Sequence, residues 1–128
     1  MKPVVWGVLG TARIGLNKVI PAMQRSGIVE LRAIASRSRP AAEAAAQRLG
    51  IPRAYDSYEA LLADPAIEAV YNPLPNHLHV PLTIAAARAG KHVLCEKPIA
   101  LDAREARLLR EWSTRVHIAE AFMVRHHP

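Results

Sequence analysis

The sequence predicts an α/β fold, a doubly wound parallel sheet with helices on both faces. Three observations predict it. Short apolar runs at residues 4–9, 29–35, 67–71 and 92–95 are each bounded by turn-forming residues. Stretches rich in helix formers lie between them, and strands alternating with helices build a parallel sheet. Finally, the first apolar run enters the glycine turn Gly10-Thr11-Ala12-Arg13-Ile14-Gly15, followed by helical spacing at Ile14, Val19, Ala22 and Met23.

Composition narrows the class. A chain of 128 residues, 51% apolar, has one domain's length and buries about two-thirds of its unfolded surface. It has no run of about 18 apolar residues, so no membrane span is expected. Met1-Lys2-Pro3 ahead of the first apolar run imitates a leader, but that run breaks at Gly10 and continues into an organised turn. A single cysteine, Cys95, excludes an internal disulfide and suits a reducing, cytoplasmic compartment. The net charge of +6 and pI near 10.1 raise the question of nucleic acid. The 17 basic residues are scattered and aromatics amount to 5%, which gives no basic stacking platform. A solvated arginine-rich surface that draws in a phosphate-bearing ligand is the simpler reading.

In chain order, a first helix is expected over residues 13–25, kinked by Pro21 and capped by Gly27. A strand over 29–35 then ends in Ser36-Arg37-Ser38-Arg39-Pro40, and a helix over 41–49 closes at Gly50. Residues 51–55 read as a short extended piece, and Ser57 caps a brief helix over 58–63 that Asp64-Pro65 stops. A strand over 67–71 leads into Asn72-Pro73-Leu74-Pro75-Asn76-His77, then a helix over 78–89 ends at Gly90. The run 92–95 reads as a central strand that meets Glu96-Lys97-Pro98. Asp102 with Glu105 forms a variant capping box for a fifth helix, which ends near Trp112 without the expected glycine. A last strand is expected over 116–124.

The glycine turn is a candidate pyrophosphate cradle. A helix start leaves amide donors unpaired and carries partial positive charge, and glycine lets backbone approach the phosphates. The pattern here is G-x-A-x-x-G, with the Ala12 methyl narrowing the middle position; taken alone it also fits an ordinary strand-to-helix turn. The tip of the second strand says more. Dinucleotide-binding folds with NAD place a carboxylate there for the ribose 2′-hydroxyl. Ser36, 21 residues past Gly15, has no acidic neighbour in the sequence and is followed by Arg37, Ser38 and Arg39. That set suits a 2′-phosphate, so NADP is expected over NAD, with Arg37 as the main discriminator. Ligands of such sheets lie outside the carboxyl ends of the strands, and the glycine turn, Ser36-Arg37, residues 72–77 and Glu96-Lys97-Pro98 all fall on that edge.

These motifs together resemble the glucose-fructose oxidoreductase/inositol dehydrogenase (Gfo/Idh/MocA) family. The resemblance rests on Gly90-Lys91-His92-Val93-Leu94-Cys95-Glu96-Lys97-Pro98, on Pro75-Asn76-His77-Leu78-His79 and on the ending Glu120 to Pro128, and it covers the whole chain in order. The opening and ending are most similar to the subgroup of glucose-fructose oxidoreductase and the dihydrodiol and xylose dehydrogenases. The resemblance implies a Rossmann-type domain in which Gly10, Thr11, Ala12, Arg13 and Ile14 hold the pyrophosphate and Ser36 with Arg37 the 2′-phosphate. It implies that Asn72, Pro73, Leu74 and Asn76 line the adenine-ribose side, with His79 nearby, and that Glu96 contacts the nicotinamide ribose. Lys97 would sit beside the nicotinamide as the catalytic residue, where its ammonium stabilises charge on a substrate oxygen.

Family members carry a second α/β domain that supplies an acid/base histidine and the pocket walls. The expected division is therefore a cofactor domain over residues 1–122, with 123–128 beginning the crossover. The implied function is that of the cofactor domain of an NADP-dependent oxidoreductase acting on a sugar or cyclic diol. The alternative is a module that binds NADP(H) without turnover. Self-association is expected wherever an apolar face lacks its second domain. His77 with His79, and His126 with His127, lack the carboxylate or cysteine partners of a zinc site, so no metal is expected. Cys95 reads as an inert core thiol, and Arg104, Arg107 and Arg110 as the wet face of the fifth helix.

Overall fold

A computed structural model describes residues 2–121. The elements run β1 (Val4–Leu9), a π-helical turn (Gly15–Val19) continuing into α1 (Ile20–Gln24), β2 (Val29–Ala35), α2 (Arg39–Leu49), β3 (Arg53–Tyr55) and α3 (Tyr58–Leu62). There follow β4 (Ala69–Asn72), a 3-10 turn (Asn76–Leu78) leading into α4 (His79–Arg88), β5 (His92–Glu96), α5 (Ala103–Trp112) and β6 (Ile118–Ala121). The six strands form one sheet in the order β3-β2-β1-β4-β5-β6, every neighbouring pair parallel. The order reverses direction between β1 and β4, the position where such folds open a ligand crevice.

Alternation along the strands divides the core into two layers. Val5, Leu9, Ala33, Ala35, Val70, Val93 and Cys95 pack against Leu61 and Leu62 of α3 and Ala86 of α4. On the other face Val8, Ile34 and Tyr71 pack against Ile20 of α1 and Ala45 and Ala46 of α2. The expected doubly wound fold is thus the observed one. The centre of the sheet, however, is β1 and β4; β5 lies one strand in from the edge, and its apolar run reflects burial by α4 and β6 rather than a central place.

The first helix departs from expectation in an instructive way. Pro21 lacks an amide and crowds the carbonyl one turn back. Instead of a simple kink, the ladder slips to a wider register upstream, with the Ile20 amide donating to Gly15 O. Gly27 is not a left-handed cap: the positive-φ glycines are Gly10, Gly50 and Gly90. The helix closes through tight bonds from Arg25 N to Ala22 O and from Ser26 N to Met23 O.

Ser38, Ser57 and Asp102 cap α2, α3 and α5 as N-cap residues, each accepting from the amide three residues on. Glu105 reaches back to Leu101 N rather than to Asp102 N, a capping box displaced by one residue. α5 ends without glycine because hydroxyls do the work, Ser113 Oγ donating to Arg110 O and Thr114 Oγ1 to Glu111 O. Arg104, Arg107 and Arg110 are exposed on its outer face. The expected continuation of the last strand to 124, the paired histidines 126 and 127 and the crossover at 123–128 lie outside the described residues. Among the described residues no helix is long and apolar enough to cross a membrane, and no group of three or more His, Cys, Asp or Glu side chains could hold a metal ion.

Candidate cofactor-binding site

The carboxyl ends of β1, β2, β4 and β5 bring the expected residues to one rim. Gly10 begins the turn after β1 with φ +90°, and its amide donates to Ala35 O across the sheet at 2.7 Å. A Cβ there would lie 2.6 Å from Leu74 Cδ2, so Leu74 closes the floor beneath the turn. At Gly15 a Cβ would touch Tyr71 Cε2 at 3.5 Å and Pro73 Cγ at 3.6 Å. The start of the helix therefore rests directly on the end of β4, the close helix–strand packing that the last glycine of such turns permits.

The helix start has unsatisfied capacity. Leu16 N, donating to Ala12 O, is the first helical donor, so the amides from Ala12 to Gly15 have no acceptor within the helix. Ala12 has no oxygen with which to cap them, in contrast to Ser38, Ser57 and Asp102 on their helices. Thr11, Ala12, Arg13 and Ile14 are partly or fully exposed around these donors, and Ile14 is 49% exposed.

At the tip of β2, Ser36 is nearly buried and its Oγ accepts from Ser38 N, which fixes a tight turn. Arg37 and Arg39 both project from this turn but differ in state. Arg39 pairs with Asp56 at 3.0 Å and with Glu43 at 3.6 Å. The Asp56 hydrogen bond and charge raise its pKa. Arg37 is exposed and has no ion pair among the described residues.

The loop after β4 is built from inside. Asn72 is fully buried: its Nδ2 donates to His79 O and Thr83 Oγ1, and its Oδ1 accepts from Leu74 N. His79, 1% exposed, lies with Nδ1 2.6 Å from Pro98 O and Nε2 2.6 Å from Leu74 O. Both partners only accept, so a neutral ring donates to one of them and a doubly protonated ring to both. One buried side chain thus ties the loop after β4 to the turn after β5. Asn72, Pro73, Leu74 and His79 all lie under the rim, and of this loop's expected residues Asn76 alone is exposed.

At the end of β5, Glu96 is half-buried; Lys97, just beyond it, is exposed, and the Lys97–Pro98 peptide is cis. Glu120 Oε2 accepts from Ile99 N at 2.9 Å and anchors the end of this turn. Lys97 has no ion pair among the described residues.

Residues 4–119 match the Gfo/Idh/MocA family, described as an oxidoreductase family with an NAD-binding Rossmann fold. The chain belongs to this family. Among curated Gfo/Idh/MocA relatives it is 52% identical over 127 residues to a D-xylose 1-dehydrogenase (NADP(+)) of Haloferax volcanii, covering 98% of this chain and 39% of that protein. It is 35% identical over 127 residues to the mouse trans-1,2-dihydrobenzene-1,2-diol dehydrogenase, covering 96% of this chain and 38% of that one. A crystal structure of a 3-ketoreductase from Actinomadura kijaniata, in complex with TDP-benzene and NADP, superposes with a TM-score of 0.95 at 39% identity, covering 99% of this chain and 40% of that chain. The chain spans about two-fifths of the length of these relatives.

Two residues that brace the rim are not legible from the sequence, Tyr71 and Glu120. Tyr71 sits fully buried beneath the site, and its hydroxyl donates to Glu96 Oε1 at 2.5 Å. Burial and the Glu96 carboxylate push its pKa well above the usual phenol range, so the proton stays on the tyrosine. Glu120 was read as part of a closing motif, with nothing in the sequence to link it to Ile99. The Tyr71 contact follows from register: β4 and β5 pair Tyr71 with Leu94, which puts Glu96 two residues on and on the same face.

Proposed function

We propose that this chain is the cofactor-binding domain of an NADP-dependent oxidoreductase that transfers hydride between the nicotinamide and a sugar or cyclic diol, working in the cytoplasm. The observation that carries the cofactor choice is the tip of β2. It presents a serine hydroxyl and Arg37, which has no ion pair among the described residues, while Asp56 is engaged by Arg39. The relatives' printed activities support the substrate class, and the exposed Lys97 at the rim, free of any ion pair among the described residues, supports the chemistry.

The cradle fits a dinucleotide. The amides from Ala12 to Gly15 would take the pyrophosphate, because they are uncapped donors at the positive end of a helix. Ser36 and Arg37 would hold the 2′-phosphate, Asn76 would line the adenine-ribose side and Glu96 would accept from the nicotinamide ribose. Gly10, Asn72, Pro73, Leu74 and His79 would contribute by shaping the rim from below. The nicotinamide supplies or takes up hydride. Lys97 would donate a hydrogen bond from its ammonium to the reacting substrate oxygen and stabilise charge there.

The test is a titration of the chain with NADPH and NADH, before and after Arg37→Ala. Loss of a charged hydrogen bond weakens NADPH binding by roughly 10- to 150-fold, with NADH little changed. Equal losses for both coenzymes, or no NADPH binding by the folded wild-type chain, overturn the assignment. Adding aldoses or diols and following reduced-nicotinamide absorbance then separates the enzyme reading from its alternative, a module that binds NADP(H) without turnover.

A further inference from the structure

Tyr71 is fully buried in the sheet, yet it touches both halves of the rim. Its ring edge is the surface on which Gly15 rests, at the start of the uncapped helix. Its hydroxyl meets Glu96, at the end of a neighbouring strand. The strand geometry makes this reach possible. Side chains alternate across a strand, so Tyr71, Leu94 and Glu96 share the face that packs on α1, and a tyrosine is long enough to span the diagonal from its partner Leu94 to Glu96.

The chemistry of the contact is asymmetric. A carboxylate accepts only, and the tyrosine hydroxyl occupies Oε1. Glu96 Oε2 has no hydrogen-bond partner among the described residues, and the residue is half-exposed at the end of β5. A half-exposed glutamate has several rotamers of similar energy; a short bond from a rigid, buried phenol selects one of them.

We propose that Tyr71 is a positioning residue, which holds Glu96 so that its second oxygen is presented to the ribose hydroxyls on the nicotinamide side of the cofactor. This rests on the dinucleotide reading given above. It goes beyond it in assigning to a core tyrosine the selectivity of one half of the site. The adenosine half, built from Ser36 and Arg37 at the tip of β2, is independent of that bond.

Tyr71→Phe removes the hydroxyl and keeps the ring on which Gly15 rests. The ligands are NADPH and 2′,5′-ADP, which carries the phosphorylated adenosine without the nicotinamide riboside. For Tyr71→Phe we expect NADPH binding to weaken roughly tenfold, with 2′,5′-ADP unchanged within about twofold. Glu96→Gln should weaken NADPH binding similarly, and the double variant no further than the worse single, because both act through one contact. Unchanged NADPH affinity in Tyr71→Phe overturns the proposal, as does an equal loss for both ligands or a double variant whose losses multiply. A folded wild-type chain that binds neither ligand overturns the cofactor reading itself; one that binds both, with Tyr71→Phe indistinguishable from it, overturns only the role of Tyr71.

Discussion

Gly10→Ala tests the turn on which the site is built. The residue sits at φ +90°, a conformation that an alanine holds at a cost of about 1–3 kcal/mol. Its new methyl would stand 2.6 Å from Leu74 Cδ2. Leu74 is 6% exposed within the larger core cluster, so it has no solvent to swing into, and the overlap adds about 1–3 kcal/mol. The expected destabilisation is therefore about 2–6 kcal/mol, a large share of a domain's total stability of about 5–15 kcal/mol. Leu74→Ala alone should cost about 2–5 kcal/mol by opening a cavity. The two changes together should cost less than their sum by about 1–3 kcal/mol, since the steric part disappears while the backbone part remains. Urea unfolding followed by circular dichroism measures all four corners of this cycle. A Gly10→Ala protein within about 0.5 kcal/mol of wild type would refute the strained turn. Strict additivity would refute the Leu74 contact.

Two further outcomes follow from titrating groups. Burial alone would raise the Asp64 pKa, but hydrogen bonds from Tyr55, the Ala66 amide and Arg53 outweigh it and hold the pKa at about 2. Its folded value lies below the unfolded one, so this stabilisation is present above pH 4 and lost as pH falls toward 2. It amounts to about 2 kcal/mol, and Asp64→Asn should remove that part of the acid dependence in unfolding curves recorded from pH 7 to 2.5. Burial pushes the Cys95 thiol up to about 12, so an aromatic disulfide reagent at pH 8 should leave it unmodified in folded protein and react within minutes in urea. Fast labelling of the folded chain would mean that β5 opens far more readily than its packing implies.

The strands and caps were legible because their signals are local. β2 occupies the residues its apolar run marks, and Ser38, Ser57 and Asp102 cap the helices that follow them. The first helix was harder, since a proline states that the ladder must break but not how the slack is taken up. Gly27 misled because a helix can end through tight carbonyl contacts without a left-handed residue. The rim was legible as a set of loops, but the division of labour within it was not. Asn72, Leu74 and His79 carry the same letters whether they face a ligand or brace a loop; only their burial and their bonds to Thr83, Gly10's floor and Pro98 decide. The Tyr71–Glu96 contact needs the register of β4 against β5, which a single sequence does not state.

Ala12 has a thermodynamic consequence for the empty protein. A serine in its place would satisfy a helix amide internally and stabilise that helix by about 1 kcal/mol. With alanine there, an anion bound as proposed would supply the missing acceptor. Stability would then track occupancy, with the melting temperature climbing as the logarithm of ligand concentration. Such a molecule would be least stable when empty.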